Sequence, residues 1–159
     1  MADPIQALAH DHRELTGLLI AVHEALTRVE RGQSKLDDEL HEIRDGIEVF
    51  REALLEHFAR EQEGILPFVL ARLPNVARQV DRLISEHDRI ADLLTRLVTD
   101  VGSVDAGGDV SSFRASLARF DELYAAHAKT ELAFFTEVTA ALGGDCEATE
   151  QLRSLLDEP

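Results

Sequence analysis

The fold is decided by residues 36–68, which read LDDELHEIRDGIEVFREALLEHFAREQEGILPF. Apolar side chains recur in this stretch at alternating steps of three and four residues, the spacing of one face of an α-helix. Two positions on that face, His57 and Glu61, are ionisable instead of apolar. Because they are four residues apart, they lie one turn apart on the same face. The stretch therefore predicts a long amphipathic helix that carries a His-x-x-x-Glu pair into the core.

Three other blocks of the chain show the same helical period, and there is almost no signal for strands. Asp3 and Pro4 supply an N-cap and a proline at the first helical position of the first block. In the second block, Pro67 is expected to bend the helix or to end it early. The predicted helices cover residues 4–30, 35–72, 76–101 and 110–142.

The connections between these helices are short and rich in turn residues. They fall at residues 31–34, at Pro74-Asn75 and at residues 102–109. Short loops favour antiparallel neighbours, so we predict an all-α fold, an up-down-up-down four-helix bundle. We expect the bundle to occupy residues 1–143, and the acidic residues 144–159 to form a tail or a short C-terminal helix.

The composition excludes several classes of partner. The 159 residues, about one domain's worth, carry 31 acidic against 16 basic side chains and a formal charge of −15. Such a surface repels phosphate backbones and anionic lipid, so nucleic acid and membrane are not expected as partners. The single cysteine, Cys146, cannot form an internal disulfide, and neither a signal peptide nor a membrane span is indicated. We therefore expect a cytoplasmic protein.

The other three apolar stripes are also interrupted by a histidine. The four histidines lie 18 to 25 residues from the centre of the nearer turn, taken at residue 32 or 105. At about 1.5 Å per residue they fall within roughly 10 Å of one level. Each predicted hairpin thus provides one histidine and then a His-x-x-x-Glu pair. The six residues expected to converge are His12, His57, Glu61, His87, His127 and Glu131.

A metal explains why six ionisable side chains would share an apolar interior. Burying an unpaired carboxylate or a charged imidazole costs several kcal/mol, whereas a metal binds the neutral imidazole and the ionised carboxylate. A buried His–Glu hydrogen-bond network without metal is the alternative. Nitrogen and oxygen donors without a thiolate favour iron, with zinc or manganese as other choices. Two glutamates can each bridge two ions, and four histidines can bind them two per ion.

The order His, His-x-x-x-Glu, His, His-x-x-x-Glu resembles that of hemerythrin-like (HHE) domains over residues 5–142. The resemblance implies a non-haem di-iron centre, with bridging carboxylates and an oxo or hydroxo bridge, inside a four-helix bundle. The matching motifs are Ala9-His10-Asp11-His12-Arg13, His57-Phe58-Ala59-Arg60-Glu61 with Ile65-Leu66-Pro67, Glu86-His87, and His127 with Glu131 before Phe134-Phe135.

Two positions depart from the oxygen-carrying hemerythrins that the chain resembles. Those proteins place a second histidine four residues after the helix 3 ligand, where this chain has Ala91. They use an aspartate five residues after the helix 4 histidine, where this chain has Leu132. We therefore expect a protein that binds or reacts with dioxygen, hydrogen peroxide or nitric oxide, for sensing or for detoxification under oxidative stress. The side chain of Ala91 is small, and the space that it leaves is a candidate pocket for such a ligand.

Other functions stay open at this point. Peroxidase-like or catalase-like turnover and non-catalytic sensing would need the same six residues. Iron storage, iron sensing without redox turnover, and a helical interaction module are the alternatives from other classes.

The other polar residues of interest differ in their position relative to the apolar stripes. Tyr124 lies three residues before His127 on the same stripe, so it is a candidate ligand, a hydrogen-bond donor to the site or an ordinary core tyrosine. Gln62 lies off the stripe and cannot replace a carboxylate. The histidines expected at the surface or in structural roles are His10, His23 and His41.

Overall fold

The structure is a computed structural model that describes residues 3–104 and 110–157, and every regular element in these ranges is helical. The prediction of an all-α fold is therefore confirmed. The helices are α1 (Pro4–Glu30), α2 (Leu36–Arg60), α3 (Leu66–Arg72), α4 (Ala77–Ser103), α5 (Ser111–Leu142) and α6 (Cys146–Asp157).

Helix α1 begins and ends where the sequence predicts. The Asp3 carboxylate accepts a hydrogen bond from the Ile5 amide at 3.1 Å, and Pro4 occupies the first helical position. After Glu30 the chain reverses through Gly32, whose φ of 69° is a left-handed conformation that favours glycine. The predicted turn at residues 31–34 is thus observed.

The second predicted helix runs to residue 72 but is not a continuous α-helix. A π-helical turn, Glu61–Ile65, separates α2 from α3 and comes directly before Leu66-Pro67. Its closing hydrogen bond runs from the Leu66 amide to the Glu61 carbonyl. Because Pro67 has no amide hydrogen to donate, the ordinary hydrogen-bond ladder must change at this point. The expected effect of Pro67 therefore takes the form of a wider turn.

The second half of the chain departs from the prediction at one helix end. Helix α4 extends to Ser103, whose hydroxyl donates to the Thr99 carbonyl at 2.9 Å. Positions 102 and 103 of the predicted loop are therefore helical, and residues 105–109 of that loop lie outside the described residues. Helix α5 ends at Leu142, as predicted from the glycines that follow it.

Helices α1 and α2 form an antiparallel hairpin. Near the turn, Arg28 Nε donates to Glu39 Oε1 at 2.8 Å. At the far end, Arg60 Nη2 donates to Asp11 Oδ2 at 2.9 Å. Since these contacts pair the end of α1 with the start of α2 and the reverse, the two helices run in opposite directions.

Helices α4 and α5 form the second antiparallel hairpin. The Ser116 hydroxyl donates to Asp100 Oδ2 at 2.6 Å near the connection, and Gln79 Nε2 donates to Glu137 Oε2 at 3.0 Å far from it. The two hairpins pack together through α2 against α4 and α1 against α5. In this arrangement all four long helices face one interior.

That interior consists of two apolar clusters with a polar layer between them. One cluster is built around Phe50, Phe113 and Phe120 at the end nearer residues 31–34. The other is built around Leu66 and Phe135, and it receives three apolar side chains of α6. The C-terminal segment therefore forms a short helix whose apolar face is buried, while the domain boundary at residue 143 stays a prediction. The buried side chains of α6 are Ala148, Leu152 and Leu156.

The outer surface carries few large apolar side chains. Leu18, Ile20, Val49 and Leu55 are 37–53% exposed. Across residues 3–104 and 110–157, no helix is both long enough and apolar enough to cross a membrane.

Candidate metal centre

All six residues predicted to converge meet in the polar layer between the two apolar clusters. None is more than 7% exposed, and the Glu131 side chain is fully buried. Their ring nitrogens and carboxylate oxygens approach within hydrogen-bond distance across four helices. The six side chains therefore meet at one level of the interior, and their role as metal ligands stays a prediction. The six residues are His12, His57, Glu61, His87, His127 and Glu131.

The Glu131 carboxylate stands at the centre of the group. Its Oε1 is 2.8 Å from His12 Nε2 and 3.8 Å from His57 Nε2. Its Oε2 is 2.9 Å from His127 Nε2 and 3.7 Å from His87 Nε2. One carboxylate therefore presents a different oxygen to each pair of histidines.

Glu61 repeats this arrangement from α2. Its Oε1 is 3.2 Å from His57 Nε2, and its Oε2 is 3.1 Å from His87 Nε2. The donor atoms thus divide into two groups, each with two imidazoles and one oxygen from each glutamate. We call the group with His12 and His57 the first half-site, and the group with His87 and His127 the second half-site.

Several of these donor atoms are left without hydrogen bonds by the protein. His127 Nε2 and Glu131 Oε2 are 2.9 Å apart, yet neither is aligned for a hydrogen bond. Each buried polar atom left unsatisfied costs about 1–3 kcal/mol. The other such donors among the described residues are Glu61 Oε1 and His87 Nε2.

A metal ion would satisfy these atoms. In each half-site the two imidazole nitrogens and the Glu131 oxygen lie within 4.8 Å of one another. Metals such as zinc bind imidazole nitrogen and carboxylate oxygen at about 2.0–2.2 Å, so donors around one ion must stand about 3 Å apart. The closest nitrogen–oxygen pairs in both half-sites meet this requirement. The donor set therefore fits a pair of cations.

The electrostatics of the group also favour a cation. Burial alone would raise the pKa of Glu131, but the surrounding histidines hold that pKa well below its usual range. Burial alone would lower the pKa of His57, but the charge of Glu61, the hydrogen bond with Asp11 and the nearby carboxylate of Glu131 hold it well above its usual range. The buried carboxylates therefore require positive charge beside them. Either protonated imidazoles or a metal ion can carry that charge.

The second half-site behaves in the same way. Burial would lower the pKa values of His87 and His127, and the nearby carboxylate of Glu131 overcomes that effect and raises both. Glu61 adds to the rise at His87, and Glu86 adds to the rise at His127. Both half-sites therefore hold their imidazoles in an anionic environment.

Two carboxylates orient the imidazoles from outside the group. His57 Nδ1 donates to Asp11 Oδ2 at 2.5 Å, and His127 Nδ1 donates to Glu86 Oε2 at 2.8 Å. Such contacts fix which ring nitrogen faces inward and raise its basicity. Sequence analysis assigned these acids no role. A signal was present in the sequence, because Asp11 immediately precedes His12 and Glu86 immediately precedes His87.

Gln62 is a third supporting residue, and its role differs from the one that the sequence indicated. Its side-chain amide lies 2.9 Å from His87 Nδ1. A regular helix would direct Gln62 away from the core, but this residue lies within the π-helical turn Glu61–Ile65. The wider turn changes the angular period, so a residue off the predicted stripe reaches a core histidine.

The first half-site has no equivalent contact at His12. His12 Nδ1 is buried and has no hydrogen-bond partner among the described residues. Tyr124 is also buried, with its ring centre 6.4 Å from that of His12, and its hydroxyl has no partner within the same described ranges. Burial, with the charges of Glu131, Asp11 and Glu61, raises the pKa of Tyr124, so the phenol stays neutral. A role for Tyr124 as ligand or hydrogen-bond donor stays a prediction.

The other candidates lie away from the donor group. Ala91 is half-buried on α4 and its carbonyl accepts from the Thr95 hydroxyl, so a small-ligand pocket there stays a prediction. The remaining histidines lie outside the core, as expected, and each is paired with an acidic side chain. These pairs are His10–Glu14 at 3.9 Å, His23–Asp121 at 3.1 Å and His41–Asp45 at 3.2 Å.

The fold and the site together define an all-helical protein with two buried imidazole–carboxylate groups that could hold a metal ion. The sequence model of the hemerythrin HHE cation-binding domain matches residues 3–136, a span that holds all six donors. The chain belongs to this family, and the resemblance predicted from its motifs is confirmed. No curated protein and no solved structure matches the chain.

Proposed function

We propose that this chain is a non-haem di-iron protein that binds or reacts with dioxygen, hydrogen peroxide or nitric oxide, in sensing or in detoxification. The observation that carries the proposal is the division of the donors, because Glu61 and Glu131 each direct one oxygen to each half-site. Two carboxylates placed in this way are suited to bridge two ions. When bound, the iron pair would supply electrons and a Lewis-acidic position for the small oxidant.

The architecture that we propose for this centre is an up-down-up-down four-helix bundle. The contacts of the two antiparallel hairpins support it, since each hairpin brings its two histidines to one level. Bundle cores of this kind build metal sites from side chains on facing helices.

The protein donors would leave coordination positions on each ion for a small ligand. Each half-site contains four protein donor atoms, two nitrogens and two oxygens. Iron in proteins commonly keeps positions open beside its histidine and carboxylate ligands. Asp11 and Glu86 meanwhile hold the Nδ1 protons of His57 and His127, which directs the basic Nε2 atoms inward.

The choice of iron rests on the donor set. Neither half-site contains a thiolate, so the structural zinc sites built on cysteine are a poor match. Imidazole with carboxylate suits iron, and it also accepts manganese or zinc. The single cysteine requires no oxidising compartment, which supports a cytoplasmic location as part of the same proposal.

Metal analysis of protein purified from cells grown with iron tests the di-iron part. We expect about two iron ions per chain and a visible absorption band, and we expect both to be lost in Glu131→Ala, since this carboxylate serves both half-sites. His41→Ala, which removes an exposed histidine, is the matched control and should retain the metal. One ion per chain, or saturation with zinc alone, would contradict a di-iron centre.

Rapid mixing tests the oxidant part separately. The reduced, iron-loaded protein should change its visible spectrum on mixing with hydrogen peroxide, dioxygen or nitric oxide. Repeated turnover of peroxide would favour an enzyme, whereas a single stoichiometric change would favour a sensor. If the protein holds two iron ions and is inert to all three oxidants, the result would support the metal site and contradict the proposed reaction.

Iron sensing without redox turnover is a second candidate, favoured by the unsatisfied donors in the polar layer. If the metal is removed, these buried atoms lose their partners, so the free energy of unfolding should depend on iron. A sensor of this kind would show strong metal-dependent stability together with no spectral response to oxidants. A metal content well above two per chain would instead favour storage.

A further inference from the structure

An open groove lies between α1 and α5 and ends at the first half-site. Its volume is about 700 Å³, a size suited to a small organic molecule. His12 lines it from α1, and Ala125, Ala128 and Leu132 line it from α5. The groove therefore connects the surface with a residue of the candidate metal centre.

The part of the groove away from His12 is apolar and spacious. Ile20, in its α1 wall, is 51% exposed and presents a large apolar side chain to the groove. A Cβ atom added to Gly17 would have no neighbour within 4 Å. Together with Ala125 on the opposite wall, these residues form a surface that an apolar chain could cover.

The charge of the groove contrasts with that of the rest of the chain. The protein has 31 acidic side chains, yet among the described residues none lines this groove. Arg13 lines it from α1 and Lys129 lines it from α5, and within the described ranges neither forms an ion pair. The groove is therefore locally cationic in an otherwise acidic molecule.

His12 provides an independent sign that a ligand belongs here. It is only 7% exposed, and its Nδ1 atom has no hydrogen-bond partner among the residues described. It lies at the same helical level as Arg13, and the apolar part of the groove begins one turn further along α1. A polar group bound beside His12 would satisfy this nitrogen.

We propose that the groove binds an apolar monocarboxylate. Its carboxylate lies between Arg13, Lys129 and the Nδ1 side of His12, and its hydrocarbon chain covers Gly17, Ala125 and Ile20. From Arg13 to Ile20 the groove follows α1 for about 10 Å, the length of a medium-length alkyl chain. This inference goes beyond the proposed function, because the groove and its charges do not depend on a bound metal.

Calorimetric titration of the full-length protein with octanoate tests the proposal. We expect saturable binding of one octanoate per chain, both in the protein as purified and after metal removal. Octylamine, which has the same chain and the opposite charge, should bind at least about tenfold more weakly. In the zinc-loaded protein, octanoate should shift the amide resonances of Gly17, Ala125 and Ala128 more than those of α4.

Two pairs of variants distinguish specific binding in the groove from non-specific adsorption to the protein surface. Gly17→Leu places a side chain in the groove and should weaken octanoate binding by about tenfold or more, whereas Gly17→Ala leaves the space and should keep the affinity. Arg13→Gln with Lys129→Gln should weaken binding by about threefold to tenfold. Arg96→Gln with Arg119→Gln, which removes two exposed cations elsewhere, should not.

Three results would overturn the proposal. Equal affinity for octanoate and octylamine would show that the charge of the groove selects nothing. Amide shifts scattered over all helices would show non-specific adsorption. A dimer of the free protein that Gly17→Leu dissociates would show that a second copy of the chain covers this face. None of these outcomes bears on the metal content, so failure here is distinguishable from failure of the di-iron proposal.

Discussion

The two half-sites have the same kinds of donor atom but different surroundings. In the second half-site, the Phe58 ring stacks on His87 with ring centres 4.0 Å apart and planes inclined by 14°. The outer nitrogen of His87 meets Gln62, and the residue is only 1% exposed. In the first half-site, His12 has an unsatisfied Nδ1 and lines an open groove. One half-site is packed and hydrogen-bonded, and the other adjoins a cavity.

An internal repeat can therefore specify the same donor atoms twice without giving the two half-sites the same role. A histidine held by an aromatic ring and an amide has little freedom to move. A histidine beside a groove has room for a ligand next to it. We therefore expect the second half-site to anchor its metal, and the first to respond to small molecules.

Removing Glu131 should have the largest effect, because it affects both half-sites at once. We expect Glu131→Ala to lose both metal ions and to lower the stability of the metal-loaded protein by about 3–5 kcal/mol, since it breaks a buried ionic network. Thermal unfolding with and without added iron measures this. If Glu131→Ala loses only one ion, the two half-sites are less dependent on a shared carboxylate than the geometry indicates.

Removing one histidine from each half-site tests the comparison directly. His87→Ala and His12→Ala should each reduce the metal content to about one ion per chain. We expect His87→Ala to destabilise the protein by about 1–3 kcal/mol more than His12→Ala, because it also removes the stack on Phe58 and leaves the Gln62 amide without its partner. Urea unfolding of the two variants decides this, and equal losses would show that the packing difference has no energetic consequence.

Gln62 should affect only the second half-site. Groups that orient metal-binding histidines commonly contribute about tenfold to a hundredfold in affinity. We expect Gln62→Ala to weaken the binding of one of the two ions by about tenfold and to leave the other unchanged, as measured by competition with a chelator. The neighbouring Glu63→Ala, an exposed change in the same turn, is the control. Equal weakening by both variants would point to damage of the π-helical turn instead of loss of the contact with His87.

Much of the fold was predictable because local signals mark the helix ends. Asp3 with Pro4 starts α1, and the glycines after Leu142 end α5, so these bounds need no knowledge of the tertiary structure. The convergence of the donors was predictable for a similar reason, since helical rise and loop position alone bring the histidines to one level.

The surroundings of the donors were not predictable in this way. Gln62 reaches His87 because a π-helical turn changes the helical period, and that turn is not visible in the apolar pattern. The Asp11 contact joins α1 to His57 on another helix, and it depends on side-chain directions that only packing determines. The groove depends on how closely α1 and α5 approach, which no short stretch of sequence specifies.

The smallest expected effect concerns the pH dependence of stability that the Arg28–Glu39 pair contributes outside the half-sites. Arg28 binds Glu39 through two hydrogen bonds, at 2.8 and 2.9 Å, far from the half-sites. The hydrogen bond with Arg28 is the main reason that the pKa of Glu39 falls from 4.5 to about 2. Because this pKa is lowered by folding, the pair stabilises the protein above the unfolded value of 4.5.

That stabilisation should be lost as the pH falls from 4.5 toward about 2. Urea unfolding of the natural chain and of Glu39→Gln should therefore differ most at about pH 5, and the difference should shrink steadily until it is largely gone near about pH 2. The difference between the two chains isolates this pair, since the half-sites are the same in both. The same comparison in the Glu131→Ala background should give the same difference, because no hydrogen bond or ion pair joins the two regions within residues 3–104 and 110–157. A difference that disappears in Glu131→Ala would show that the half-sites and this end of the hairpin are energetically coupled.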